Sequence, residues 1–267
     1  MLELDAVNLT YNRGTADEVV ALRNLTLAMP SGQFATVVGT NGAGKSSMVQ
    51  TIAGTARPTR GTVRLAGRDV TRMPDYRRAG LIGRVFDDPR AGTAPELSIA
   101  DNLALAMARG RRRGLRLALT GTRRTAMRDH LARLGLGLED RLNDRAGLLS
   151  AGQRQSLTMI MASLTAPSVL LLDEHIAALD PHTTRTVLGI TTDLVRDLGC
   201  TTLMITHNME HAVTLGDRLL VMSKGGIIAD FAGEEKRRLD VETVIAKIAG
   251  LGDSLSDRTL LTERTSR

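Results

Sequence analysis

The stretch Gly39-Thr40-Asn41-Gly42-Ala43-Gly44-Lys45-Ser46-Ser47 constrains the fold more than any other part of the chain. A short β-rich run, Phe34 to Val38, leads into it, and residues 46–53 continue in a pattern that predicts a helix. The stretch fits G-x-x-x-x-G-K-[ST] in the strand–loop–helix setting that gives the pattern its meaning. Glycines let successive backbone N–H groups turn inward as an anion nest, and the helix N-terminus adds positive potential. Lys45 can then reach the β- and γ-phosphates of a nucleotide, and the Ser46 hydroxyl can ligate Mg²⁺. A chain with this loop is expected to be an α/β protein built on a mostly parallel sheet.

Two further stretches carry chemistry. In Val169-Leu170-Leu171-Leu172-Asp173-Glu174 four apolar residues bury a strand and deliver Asp173 to its carboxyl end, where open α/β sheets bind ligands. A hard metal wants oxygen anions, so Asp173 suits Mg²⁺, directly or through water. Glu174 is placed to polarise an attacking water. In Leu149-Ser150-Ala151-Gly152-Gln153 the S-x-x-Q spacing predicts a capped helix start, and a helix start with serine and glycine at its mouth is also an anion site.

Strands are expected at 2–9, 19–29, 62–65, 81–86, 202–205, 218–222 and 226–231. Helices are expected at 152–165, from Asp180-Pro181 onward and, as one charged helix, at 234–249. Residues 98–140, rich in Leu, Ala, Met and Arg after a capping box at Ser98 to Asp101, predict a helical lobe inserted between strands. Residues 252–267 are expected to be a loose tail. Fully apolar strands alternating with helices imply a parallel sheet covered on both faces. No apolar run approaches the roughly 18–20 residues that span a bilayer, and the N-terminus lacks the basic-then-apolar order of a signal peptide. The single cysteine, Cys200, opens an apolar run and is expected to be buried and inert in a reducing compartment.

The net charge of +6 is unevenly spread. Between Asn102 and Arg128 there is no acid, and Arg109, Arg111, Arg112, Arg113, Arg116, Arg123, Arg124 and Arg128 crowd together. This suits a solvated face of a surface lobe or a contact with lipid headgroups. Nucleic acid is not expected as a partner, because no stacking aromatics interleave the charges.

The order of the three motifs resembles the ATP-binding-cassette (ABC) ATPases, from Leu2 to about Gly233. The resemblance implies a P-loop NTPase fold: an ABC-type nucleotide-binding domain with an antiparallel β subdomain and an inserted helical subdomain. Residues 1–86 and 150–233 would form the RecA-like ATP-binding core with its β subdomain, 87–149 the helical subdomain, and 234–267 a charged helix and tail. Gly39, Thr40, Asn41, Gly42, Ala43, Gly44, Lys45 and Ser46 match the Walker A loop, with Ser47 beside them. Ser150, Ala151, Gly152 and Gln153 match the signature motif, and Asp173 and Glu174 the Walker B pair. Asp180 closes the loop that meets the opposite subunit, His207 matches the switch histidine, and Tyr11 lies where the family stacks an aromatic on adenine. ATP and Mg²⁺ are the implied cofactors.

The family associates head to tail, so Ser150 would act on nucleotide held by a second copy. A separate transmembrane permease would dock near residues 87–98, with a substrate-binding protein involved indirectly, and the chain would sit in the cytoplasm at the inner face of the cell membrane. The phrases DEHIAALDP and THNMEHA most resemble importer ATPases of a tryptophan/tyrosine type. A soluble, non-transport cassette and a hydrolysis-impaired, nucleotide-binding subunit are the alternatives. The stretch His207 to His211 also fits H-x-x-E-H, a zinc-peptidase spacing, but His207 follows a strand and should precede the helical spacing such a site needs.

Two positions depart from the family pattern. Asp87 stands where a glutamine usually contacts Mg²⁺ and the attacking water, and Ala151 stands where a glycine is usual. At about 4 Å and an effective dielectric of about 20, a carboxylate and a phosphate charge repel by roughly 4 kcal/mol. That is worth about a thousandfold in rate, so an attenuated ATPase is the expectation.

Overall fold

The computed structural model describes residues 1–110 and 118–250. The chain forms two compact units, one of Met1–Asp75 with the chain from Thr201, the other of Tyr76–Cys200. In chain order the elements begin with β1 (Leu2–Tyr11), β2 (Val19–Met29), β3 (Phe34–Gly39), α1 (Lys45–Ala53), β4 (Arg60–Leu65), β5 (Arg68–Asp69) and α2 (Asp75–Arg78). Then come β6 (Ile82–Val85), α3 (Ile99–Met107), α4 (Gly121–Ala132), two 3₁₀ turns, α5 (Ala151–Ser163), β7 (Val169–Asp173) and α6 (Pro181–Leu198). The chain continues through β8 (Thr201–Ile205), α7 (Met209–Thr214), β9 (Arg218–Ser223), β10 (Gly226–Ala232), α8 (Gly233–Arg237) and α9 (Val241–Gly250).

In the first unit β1 pairs antiparallel with β2 and β4, and β4 with β5. Its second sheet is built on β3, buried at every position and parallel to both β8 and β9, with β10 antiparallel at the side of β9. Runs of Val, Ile and Leu without alternation belong in such doubly covered strands. Val38, Leu219, Val221, Phe231, Val244 and Ile248 share one apolar cluster of this unit. The second unit holds the parallel pair β6–β7, with α5 packed on β6 and touching α3, α4 and α6. A side chain at Gly83 would have no room there: a Cβ would lie 2.6 Å from the Ala162 carbonyl oxygen. So β6 rests almost directly on the α5 backbone.

The expected strands and the main helices are present; the short elements β5 and α2 are additional, and three further differences stand out. The single helix expected at 234–249 is two. Leu239 turns into the core, and the Asp240 carboxylate accepts the Thr243 N–H at 2.7 Å, starting a new helix. A short helix, α7, follows β8 where no apolar period announced it. Between 98 and 140 the described residues hold two helices and a 3₁₀ turn rather than continuous helix, and residues 111–117 lie outside the described residues, as does the tail 252–267. Cys200 is buried, as expected.

A buried asparagine shapes the approach to α3. Asn102 is 1% exposed, and its side-chain amide donates to the carbonyls of Ala94, Leu97 and Ser98 while its oxygen accepts the Ala94 N–H at 2.7 Å. Removing that amide leaves buried backbone groups unpaired, which costs about 1–3 kcal/mol. Asn102→Ala is therefore expected to lower the free energy of urea unfolding by at least about 1 kcal/mol, and an unchanged midpoint would contradict this role.

Candidate functional site

Two sets of candidate residues leave parallel strands at their carboxyl ends, and Tyr11, residues 150–153 and Asp180 lie elsewhere, at the end of β1 and at two helix starts. In the first unit, Val37 pairs with Ile205 and Gly39 with Met222, so the loop after β3 and His207 after β8 leave their sheet at one edge. Backbone crowding makes the loop glycine-dependent. A Cβ on Gly39 would lie 2.3 Å from the Met222 carbonyl oxygen. Gly44 sits at φ 100°, where a Cβ would lie 2.7 Å from the Ala21 oxygen. Gly44 is the N-cap of α1 and supplies no side-chain cap hydrogen bond, the arrangement in which a helix start can take an anion.

Lys45 is buried, and its Nζ donates to the carbonyls of Gly39 at 2.7 Å and Thr40 at 3.1 Å. The ammonium is thus held over the loop rather than extended into water. Ser46 and Asn41 are exposed, and Ser47 is half-buried. Tyr11, at the end of β1, donates its hydroxyl to Gln50 Oε1 at 2.9 Å and reaches Ser47 Oγ at 3.5 Å, tying the ring to α1. His207 precedes Asn208, whose side chain caps α7 by accepting the His211 N–H. The two histidines of H-x-x-E-H therefore do not share a helix, and no cluster of three metal-ligating side chains exists among the described residues.

In the second unit, β6 and β7 run parallel with Val85 beside Leu172, so Phe86-Asp87 and Asp173-Glu174 leave at one edge. Asp173 is half-buried and receives Arg84 Nη2 at 3.1 Å. Glu174 takes φ 51°, a left-handed conformation that costs a non-glycine residue roughly 1–3 kcal/mol and recurs at functional positions. Asp87 and Asp88 are both exposed. Asp88 accepts the Arg90 N–H at 2.9 Å, and the Asp87 carboxylate has no hydrogen-bond or ion-pair partner among the described residues.

Ser150 and Gln153 form the expected reciprocal capping box at 3.2 Å each way. Ser150 and Ala151 are exposed, whereas Gly152 is buried. A Cβ on Gly152 would lie 2.2 Å from Thr183 Cγ2, so a side chain at the start of α5 would force Thr183 on α6 to shift. Asp180 caps α6, accepting the N–H groups of His182 and Thr183 at 3.1 Å. Its hydrogen bonds with Thr183, foremost among its contacts, lower its pKa and keep it ionised. Ala178 and Asp180 face solvent.

Sequence reasoning missed two residues here. Arg84 is a lone cation in an apolar strand, which is a visible signal, but its partner Asp173 is far along the chain. Gln155, fully buried on α5, donates to the Phe86 carbonyl at 3.1 Å and so holds the residue before Asp87. Of the arginine-rich stretch, Arg111, Arg112, Arg113 and Arg116 lie outside the described residues. Arg109 is folded onto the Met161 carbonyl, with burial lowering its pKa, and Arg124 is bonded to Asn143.

A family model described as ABC transporter matches residues 22–177. The chain belongs to the ABC transporter family. A tyrosine transport ATP-binding protein of Clostridioides difficile is 37% identical over 92% of this chain and 98% of its own length. A methionine import ATP-binding protein of Burkholderia lata, MetN 1, is 34% identical over 85% of this chain, which spans 63% of that relative. The ATP-binding cassette MJ0796, solved as a dimer in a post-hydrolysis state bound to ADP and Pi, superposes with a TM-score of 0.74 at 26% identity, over 87% of this chain and 98% of that one. The fold is accordingly that of an ABC ATPase cassette. No helix among the described residues of this cassette is long and apolar enough to cross a membrane.

The contact at Gly152 is directly testable. Gly152→Ala forces a methyl onto Thr183 and is expected to cost about 1–3 kcal/mol of stability. Adding Thr183→Ser removes the opposing methyl and should recover much of the lost melting temperature. A Gly152→Ala protein as stable as the parent would contradict the contact.

Proposed function

We propose that this cassette is the Mg-ATP-hydrolysing subunit of an importer for amino acids or similar small solutes, driving a separate transmembrane permease. The observation that carries the reading is the end-to-end match to a tyrosine transport ATP-binding protein, 98% of whose length is covered. Two cassettes would associate head to tail, the substrate-binding protein would act indirectly, and the assembly would sit at the cytoplasmic face of the membrane. The exposed Ser150 and Asp180, each fixed by a cap, are suited to meet a second copy.

The residue roles follow from chemistry at each position. Thr40, Asn41, Gly42, Ala43 and Gly44 would wrap the phosphates with backbone N–H groups, Lys45 would neutralise the β- and γ-phosphates, and Tyr11 would stack on adenine. Ser46 and Asp173 would hold Mg²⁺, with Asp87 near it. The donor set fits: a half-buried carboxylate that already holds a cation, Arg84, is a place where positive charge is favoured. When bound, the ion would offset phosphate charge. Glu174 would take the proton of the attacking water and His207 would orient the γ-phosphate, roles in which a positioned group contributes about 10²–10⁴-fold.

One observation favours a slow variant of this function. The Asp87 carboxylate, exposed and unpartnered among the described residues, would bring its charge unneutralised to the phosphate side. Its exposure to water lowers the repulsion below the roughly 4 kcal/mol limit, so the reading is attenuation rather than loss. Glu174→Gln should abolish turnover and accumulate an ATP-bound dimer in size-exclusion chromatography. Normal turnover in that variant would overturn the assignment.

A further inference from the structure

Arg84 is the one cation in the apolar strand β6 (Ile82–Val85), and its surroundings are built to hold it in a single place. Its Nη2 lies 3.1 Å from Asp173 Oδ2, with the two side chains only 19% and 15% exposed. Its guanidinium carbon sits 4.5 Å from the centre of the Phe86 ring, a cation–π distance. Its Nε is buried with no hydrogen-bond partner among the described residues. A largely buried guanidinium with an unmet donor is costly unless its remaining contacts are strong. Here those contacts are the Asp173 carboxylate and the Phe86 face.

Phe86 is itself fixed. Gln155 on the signature helix α5 donates to its carbonyl at 3.1 Å, and Gly83 lets β6 lie against that helix. One rigid group of residues therefore presents Arg84 to the carboxylate expected to serve the metal.

We propose that Arg84 is the resident counter-ion of Asp173, which a divalent ion must displace, so that Arg84 sets how strongly nucleotide binding depends on the metal. The proposal rests on the nucleotide-binding reading above. Without metal, the pair cancels a negative charge that would otherwise repel phosphate. With metal, Asp173 exchanges one cation for another, and the gain from the ion is reduced by the pair that is broken. Both effects make the response to Mg²⁺ shallower than an unpaired aspartate would give, and they make Arg84 a positioning residue rather than a catalytic one.

The test compares ADP binding by calorimetry in excess chelator and in excess Mg²⁺, and takes the ratio of the two dissociation constants. Arg84→Gln is expected to raise that ratio roughly tenfold, within the usual range of coupling between sites. The rise should disappear when Asp173→Asn is also present, which a merely structural role for Arg84 would not produce. A ratio unchanged in Arg84→Gln, or a rise that persists beside Asp173→Asn, overturns the proposal. Should Arg84→Gln fail to fold, Phe86→Leu loosens the same guanidinium and should raise the ratio by a smaller factor, and no rise there counts equally against it. Failure of the unaltered protein to bind ADP under either condition would instead remove the nucleotide-binding reading itself, and this proposal with it.

Discussion

Polyphosphate leaves water only for a place where backbone N–H groups converge and no side chain blocks the approach. In this chain the place proposed for it, the loop after β3, has two close backbone contacts. Gly39 lies so close to Met222, and Gly44 so close to Ala21, that a β-carbon at either position would collide with a carbonyl oxygen. Beside these close approaches, the start of α1 has no side-chain cap hydrogen bond and Lys45 donates back to the loop carbonyls. The pairing of β3 with β9 sets the first of these contacts, and the approach of β2 sets the second. The apolar run Phe34 to Val38 that buries β3 is thus the first condition for the chemistry proposed at its end.

A second constraint concerns charge. Asp173 and Glu174 leave β7 at the edge where Phe86 and Asp87 leave β6. Three carboxylates at one strand edge would oppose an anionic ligand unless cations answer them. Arg84 answers Asp173, Glu174 is held in a left-handed backbone conformation, and Asp87 stays in solvent. The Asp87 carboxylate is exposed and has no hydrogen-bond or ion-pair partner among the described residues, and Ala151 is exposed as well.

Much of this was legible locally. The phosphate loop, the strand ending at Asp173, the Ser150–Gln153 box and the Asp180-Pro181 helix start each need only a few neighbouring residues, and their spacing announces them. What escaped depends on contacts between distant residues or on competing local bonds. Arg84 is a cation in an apolar strand, a signal visible in the sequence, but only the fold supplies Asp173 as its partner. Gln155 looked like an ordinary helix residue until α5 was laid against β6. Residues 234–249 carry a continuous helical pattern, yet the Asp240 carboxylate captures the Thr243 N–H and Leu239 is buried, so the helix breaks where the pattern does not.

The central claim is that two copies of this chain make a genuine but slowed ATPase. The direct measurement is Mg-ATP hydrolysis by the purified chain across a protein concentration series, beside Asp87→Gln. The expected result is a rate per chain that rises with protein concentration, as turnover by a dimer requires, and a higher rate in Asp87→Gln. Rates that are equal in the two proteins and independent of concentration would contradict both the role of Asp87 and the need for a second copy.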